Sequence, residues 1–452
     1  MKNIVTLALF ISTLITTQAI GKSNNTACRI DVEIAGLADK KVTLTMHYGL
    51  KDIIVDTIKL DSKGRGYLER TKKLPEGIYS VVLPNGKYFE LLIGFEQYFT
   101  IVSDTSSLVN NISIEGSDET DAFCKYQKLA LQLEKVKKDK SNREKIQQSI
   151  SLLKDSIYKS FDKQYISKYL KMQEEPSLKV DTSKMAKAPI EKFKQLHYLK
   201  AVHYFDNIDF SDVRLLNTRL FSEKLDYYFN VFISQQPDTI IQAMDKVMKL
   251  AKSNDSTYRF TLSFMWQNFR NIKTPNDELV FVHLAENYYL NNTAPWVDKR
   301  FIKILEEKTL SLKKLAIGNI APDLDLVDIA EKPLSLHKTN ADLLLVLFWT
   351  PDCDNCTKKM DELNQIYSAY KSKGFKIFAI YTHADKKLWK EYLEQHSYPW
   401  IHAYDPLKKS HFEEKYKVEF TPKLILLDKN KNILAKDLSI EQLKKMLLQK
   451  SK

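Results

Sequence analysis

Apolar residues recur along the chain in three successive patterns. Between residues 28 and 118 they come in short runs rich in β-branched and aromatic side chains: CRIDVEIAGL, KKVTLTMHYG, IIVDTIKLD, GIYSVVLP, KYFELLIG, QYFTIVSD and NNISIEG. Turn sequences such as DSKGRG and LPNGK separate them. Short strands at even spacing predict an antiparallel sandwich or barrel over 28–118, and the β-sandwich is the expected form.

The period then lengthens. In SNREKIQQSISLLKDSIYKSFDKQYISKYL, the residues Ile146, Ile150, Leu153, Ile157, Phe161 and Tyr165 fall at helical spacing. Ser141 and Glu144 have the form of a capping box at its start. PIEKFKQLHYLKAVHYF, KLDYYFNVFIS, TIIQAMDKVMKLAK and DELVFVHLAENYYL continue the pattern, so 120–310 reads as a helical domain with a loop around 174–189. Its many aromatic residues suit helix packing. His197 and His203, six apart, do not share a helix face as metal ligands would.

From residue 318 the two periods alternate. LLLVLF and FKIFAIY are continuous apolar runs of buried strands, while MDELNQIYSAY and DKKLWKEYLEQH are amphipathic helices. KLILLD and NILAKD form a hairpin across KNKN, and SIEQLKKMLLQK is a closing helix capped by Ser439 and Gln442. Such alternation predicts an α/β domain over 318–452, a mostly parallel sheet with an antiparallel edge. The chain is therefore expected to be multidomain, with a β-sandwich, an α-helical domain and an α/β domain.

Composition narrows the function classes. With 452 residues, 44% hydrophobic and 28% charged, the chain can bury several cores. Gly is scarce at 11 while Tyr and Phe number 23 and 22, which argues against disordered or collagen-like structure. The net charge of +12 comes mostly from dispersed Lys, densest in KVKKDKSNREK. No nucleic-acid-binding module accompanies it, so it reads as a solvated surface with weak attraction for anionic membrane surfaces or acidic partners.

The N-terminus, MKNIVTLALFISTLITTQAIGKSNN, has a positive Lys2, an apolar stretch from Ile4 to Ile15 and small residues ending at Ala19. This is the form of a secretory signal peptide over 1–19, with an uncleaved N-terminal anchor as the alternative. No later segment is long and apolar enough to span a bilayer. A periplasmic or cell-envelope location follows, and with it an oxidising compartment for the four cysteines, Cys28, Cys124, Cys353 and Cys356.

Cys353 and Cys356 stand in FWTPDCDNCTKKM, at the end of a buried strand and the start of a helix. A helix N-terminus offers unpaired N–H groups and partial positive charge, which stabilise a thiolate. Cys353 is the nucleophile of such a pair. Cys356, one turn deeper, resolves the mixed disulfide. No metal or organic cofactor is needed, only this redox-active pair. Structural zinc would require two further ligands, and no second CxxC or CxxH exists.

With these residues in view, 318–452 resembles a thioredoxin-fold domain of the TlpA/ResA type of thiol:disulfide oxidoreductase. The matching stretches are GNIAPDLDL, FWTPDCDNC, YPWIHAYDP and YKVEFTPKLILLD. The resemblance implies a cis-proline at Pro422 facing the cysteines, with Thr421 before it pairing with the backbone of a protein substrate. It implies that Trp349 packs beneath the site and contributes to substrate binding, and that a membrane thiol donor supplies electrons. The upstream part, with NTAPWVDKRF running into KKLAIGNIAPDL, is similar to the β and helical domains of unknown function in exported thioredoxin-like proteins of Bacteroidota.

The sequence departs from the pattern near the cysteines. The buried acid that thioredoxins carry six residues before the first cysteine is Leu347 here. Asp352 and Asp354 flank Cys353, and carboxylates there oppose thiolate formation and favour a reducing couple, with Lys358 and Lys359 partly offsetting them. This points to a reductase or isomerase. Peroxidase chemistry is disfavoured, because the proline expected upstream of a TxxC motif falls at Val346. A protein-binding scaffold with a vestigial redox centre is the alternative function. Cys28 and Cys124 are either a structural disulfide closing the β domain or two inert thiols. His383 and His402 follow strands on the side of the active site and read as solvent-facing loop residues.

Overall fold

The structure, a computed structural model, describes residues 26–136, 139–178, 185, 188–383 and 385–450, so the signal-peptide segment 1–19 lies outside the described residues. The chain separates into two compact units. One runs to Ile233 and includes Leu250–Thr257; the other comprises Ser234–Lys249 and the chain from Tyr258 onward. The division falls inside the segment read as one helical domain.

The first unit opens with β1 (Cys28–Ala35), β2 (Lys41–Tyr48), β3 (Lys51–Lys59), β4 (Arg65–Arg70), β5 (Gly77–Val82), β6 (Tyr88–Ile93), β7 (Tyr98–Asp104) and β8 (Ser113–Glu115). They form two four-stranded sheets in the orders β4-β1-β7-β8 and β3-β2-β5-β6. The sandwich is antiparallel except that β1 runs parallel to β7, because the chain changes sheets after β6 and enters beside β1 in the same direction. In β1, alternate residues Cys28, Ile30, Val32 and Ile34 face the core, as a strand with one covered face requires.

β5 is buried along nearly its whole length because its sheet is covered twice. Tyr79, Val81 and Leu91 face the sandwich interior, while Ile78 and Leu92 meet Phe123, Ile157, Ile166 and Leu170 of the following helices. Those helices are α1 (Asp118–Lys135), α2 (Lys140–Ser160) and α3 (Tyr165–Gln173), followed by α4 (Pro189–His203) and α5 (Arg219–Tyr227). The start of α2 differs from expectation. Asp139 is the N-cap, accepting the Asn142 N–H, and Ser141 lies inside the first turn. The long helical pattern is also two helices, since α2 stops before Phe161 and α3 starts at Tyr165.

A polar cluster around the buried His47 ties α5 to the second sheet. His47 of β2 lies 2.6 Å from Asp52, 3.3 Å from Glu90 and 3.3 Å from the Ser80 hydroxyl, and Arg219 donates to Asp52. Burial alone would push the imidazole pKa down, but the hydrogen bonds to Glu90 and Asp52 outweigh it and raise it above 6.5. A raised folded-state pKa gives stability that is full below the unfolded value and lost as pH rises through the folded one. Replacing His47 with Gln should therefore cost more at about pH 6 than at about pH 9, read by hydrogen exchange of the β2 and β6 amides. An equal cost at both pH values would show that the imidazole is not held as a cation.

The second unit contains most of α6 (Pro237–Ala251) and α7 (Asp255–Phe269), with α8 (Pro275–Tyr288) and α9 (Lys299–Lys314). They lead into β9 (Asp325–Val327), β10 (Pro333–Ser335), β11 (Leu343–Trp349), β12 (Phe375–Tyr381), β13 (Ile401–Tyr404), β14 (Lys423–Asp428) and β15 (Ile433–Lys436). These form one sheet in the order β10-β9-β13-β12-β11-β14-β15. It is mixed rather than mostly parallel. Only β11, β12 and β13 run parallel; β9 and β14 flank them antiparallel, and β10 and β15 are added at the edges by short hairpins.

Both faces of this sheet are covered, which is why β11 is apolar throughout and β12 is apolar at every position but Lys376. Leu345, Leu347 and Trp349 pack with Met360 and Leu363 of α10 (Asp354–Tyr370) and Leu443 and Leu447 of α13 (Ile440–Lys450). Leu344, Val346 and Phe348 face the opposite core with Phe412 and Tyr416 of α12 (Phe412–Tyr416). The remaining helix, α11 (Lys386–Gln395), buries Trp389. The expected capping box opens α13, with Ser439 and Gln442 exchanging backbone-to-side-chain hydrogen bonds. Among the described residues no helix is long and apolar enough to cross a membrane.

Candidate active site

Strand register builds the site. β11 and β12 pair in parallel with Trp349 opposite Tyr381, so the residues that follow each strand emerge side by side. β14 runs antiparallel to β11 with Lys423 opposite Phe348, which brings the residues just before β14 to the same end. Three loops thus converge where α10 begins. Ligand sites of open α/β sheets form at this carboxyl end of the parallel strands.

Cys353 is the N-cap of α10. Its sulfur accepts the Cys356 N–H at 3.2 Å, and its carbonyl accepts the Thr357 N–H at 3.1 Å. The residue is half-buried, whereas Cys356 is 1% exposed within the cluster that contains Trp349 and Met360. One thiol is therefore open to a partner and the other sits behind it. Burial, and then the neighbouring Cys353 sulfur, push the Cys356 thiol up to about 12, while a main-chain hydrogen bond from Thr350 and the Thr421 hydroxyl pull the other way.

The loop before β14 supplies the opposite wall. The Thr421–Pro422 peptide bond is cis, and the Cys353 thiol donates to the Thr421 carbonyl at 3.5 Å. Thr421 thus touches both sulfurs, its carbonyl at Cys353 and its hydroxyl at Cys356. Phe420, one residue earlier, is 82% exposed.

Trp349 is fully buried, with its ring 5.5 Å from Tyr392 and 6.4 Å from Tyr381. It packs in the core with Cys356 and Met360 and presents no exposed surface. Leu347 is 1% exposed in the same core and provides no proton carrier.

Asp352 does not stand as a free carboxylate beside the thiol. One oxygen accepts the Thr350 hydroxyl, and the other lies 3.5 Å from His383 Nδ1. His383 Nδ1 is in turn 3.4 Å from the Thr350 hydroxyl. Sequence reasoning treated His383 as a loop residue. The available signal was its place two residues beyond the end of the strand that pairs with β11. His402 stays apart from this group; its Nε2 lies 3.0 Å from the Tyr398 carbonyl, and burial lowers its pKa.

Cys28 and Cys124 are both free thiols buried in the sandwich core. Burial raises them to about 11 and about 12, so both are protonated and inert at neutral pH. Among the described residues no three His, Cys, Asp or Glu side chains gather as a metal site.

Residues 340–433 match the model of the thioredoxin-like family. The C-terminal domain is thioredoxin-like. Residues 132–312 match a domain of unknown function, DUF5106, which spans most of the helical region. The thiol-disulfide oxidoreductase ResA of Bacillus cereus (strain ZK / E33L) is 28% identical over 135 residues, covering 30% of this chain and 76% of the relative. Among solved structures, a thioredoxin-like protein from Bacteroides caccae ATCC 43185 aligns over 61% of this chain and 97% of its own, at 20% identity and a TM-score of 0.47. A thiol:disulfide interchange protein from Bacteroides sp. covers 30% of this chain and 90% of its own, at 28% identity and a TM-score of 0.29.

Proposed function

We propose that the protein is an exported thiol:disulfide oxidoreductase, a reductase or isomerase of protein disulfides, working through Cys353 and Cys356. The observation that carries this reading is the asymmetry of the pair. Cys353 is accessible at a helix N-terminus with its sulfur against the Thr421 carbonyl, and Cys356 is sealed one turn behind it. Cys353 attacks a substrate disulfide and forms a mixed disulfide. Cys356 then attacks the Cys353 sulfur, closing the internal disulfide and releasing the reduced substrate. Thr421 and Pro422 line the approach, so the incoming substrate backbone meets the Thr421 main chain.

Two electrons pass to the substrate with no bound cofactor. The dithiol is regenerated by an external donor, a thiol protein of the membrane. The signal-peptide form of residues 1–19 supports an envelope location. The substrate is polypeptide, not nucleic acid.

A dithiol gains oxidising power when its reduced form is stabilised as thiolate. The Asp352 and Asp354 charges on either side of Cys353 in the sequence oppose such stabilisation. Equilibration of the full chain with dithiol buffers, followed by alkylation, should give a potential near that of thioredoxin, about −270 mV. A value near about −120 mV would reverse the direction of electron flow. Absence of any reversible couple would leave a binding module in place of an enzyme.

A further inference from the structure

Resolution of the mixed disulfide requires Cys356 to lose its proton, yet burial favours its neutral form. The acid that thioredoxins keep below this cysteine is replaced by Leu347, buried among apolar side chains. Another group must take the proton.

We propose that Asp352 and His383 form the proton-exchange pair of Cys356, linked to it through Thr350. Thr350 is the element that joins them. Its main chain bonds Cys356, its hydroxyl donates to Asp352, and the same hydroxyl lies 3.4 Å from His383 Nδ1. Asp352 and His383 stand 3.5 Å apart, and each side chain is 53% exposed. A sealed carboxylate exchanges slowly with solvent, whereas both members of this pair are open to it. Tyr381 also faces the pair, its ring 6.2 Å from His383. Tyr381 is raised to about 12 by burial and by the Asp385 and Asp352 charges, so it stays neutral.

The inference rests on the oxidoreductase reading. The Cys356 thiol gives up its proton to the pair. The resulting thiolate attacks the Cys353 sulfur, the internal S–S bond forms, and the bond from Cys353 to the substrate sulfur breaks. The departing thiolate takes up the proton from the pair. The dithiol is oxidised by two electrons and the substrate disulfide is reduced by two.

The test is stopped-flow reaction of the reduced full-length protein with 5,5′-dithiobis(2-nitrobenzoate). Attack by Cys353 releases one thionitrobenzoate, and attack by Cys356 on the resulting mixed disulfide releases a second. In Asp352→Asn and His383→Gln the second phase should slow roughly tenfold or more, while the first is not slowed. Asp352→Glu should keep most of the second rate, and the second-phase pH profile of His383→Gln should lose an inflection. A second phase matching wild type in both variants, or equal slowing of both phases, would overturn the proposal. A wild-type protein that releases no second equivalent would instead overturn the dithiol reading on which it rests.

Discussion

Cys353→Ser should abolish reduction of a protein disulfide, with a loss on the order of a thousandfold or more, as removal of a catalytic nucleophile generally gives. Cys356→Ser should behave differently. It leaves the accessible thiol at the N-terminus of α10 but removes the group that resolves the mixed disulfide. The Cys353 sulfur then stays covalently attached to its partner. The contrast follows from burial, because Cys353 is half-buried and Cys356 is 1% exposed. Insulin reduction measures the first effect. Non-reducing electrophoresis with mass spectrometry measures the second, and also identifies captured partners. Near wild-type turnover in Cys353→Ser would sink the assignment of the nucleophile. Failure of Cys356→Ser to accumulate a mixed disulfide would remove the division of labour between the two sulfurs.

Much of this site was readable in the sequence because its parts are local. LLLVLF ends where PDCDNC begins, and a strand leading into a helix fixes both cysteines within a few residues. Apolar runs on β11 and β12 announced strands covered on both faces. The Asp352–His383 pair was not readable. It depends on Trp349 standing opposite Tyr381, a register that two apolar strands of equal length do not state. The contact of Thr421 with both sulfurs needed the path of the chain into β14. The parallel pairing of β1 with β7 was hidden for the same reason, since alternation within a strand reports which face is buried and not which neighbour it has. The division of the helical region was also hidden, because helical spacing continues through its sequence while the packing does not.

Lys436→Met should destabilise the second unit by about 3 kcal/mol or more, the usual cost of leaving one member of a buried ion pair alone. Lys436, at the end of β15, has only 4% of its side chain exposed, and Glu278 of α8 has 15%. The Lys436 ammonium donates to the Glu278 carboxylate and, at 2.8 Å, to the Leu315 carbonyl that ends α9. One charge therefore fastens an edge strand of the thioredoxin-like sheet to two preceding helices. Residues 158 apart in sequence meet here, and no local pattern marks either of them. The cost arises mainly from the stranded carboxylate rather than from the lost attraction, so removing both charges should recover much of it. Lys436→Met combined with Glu278→Leu should lie closer to wild type than Lys436→Met alone. Because the chain has two compact units, hydrogen exchange of the α8 and β15 amides is the suitable measurement, rather than a single melting temperature. Protection in the double variant no better than in the single one would mean that the pair holds the helices to the sheet through its own attraction.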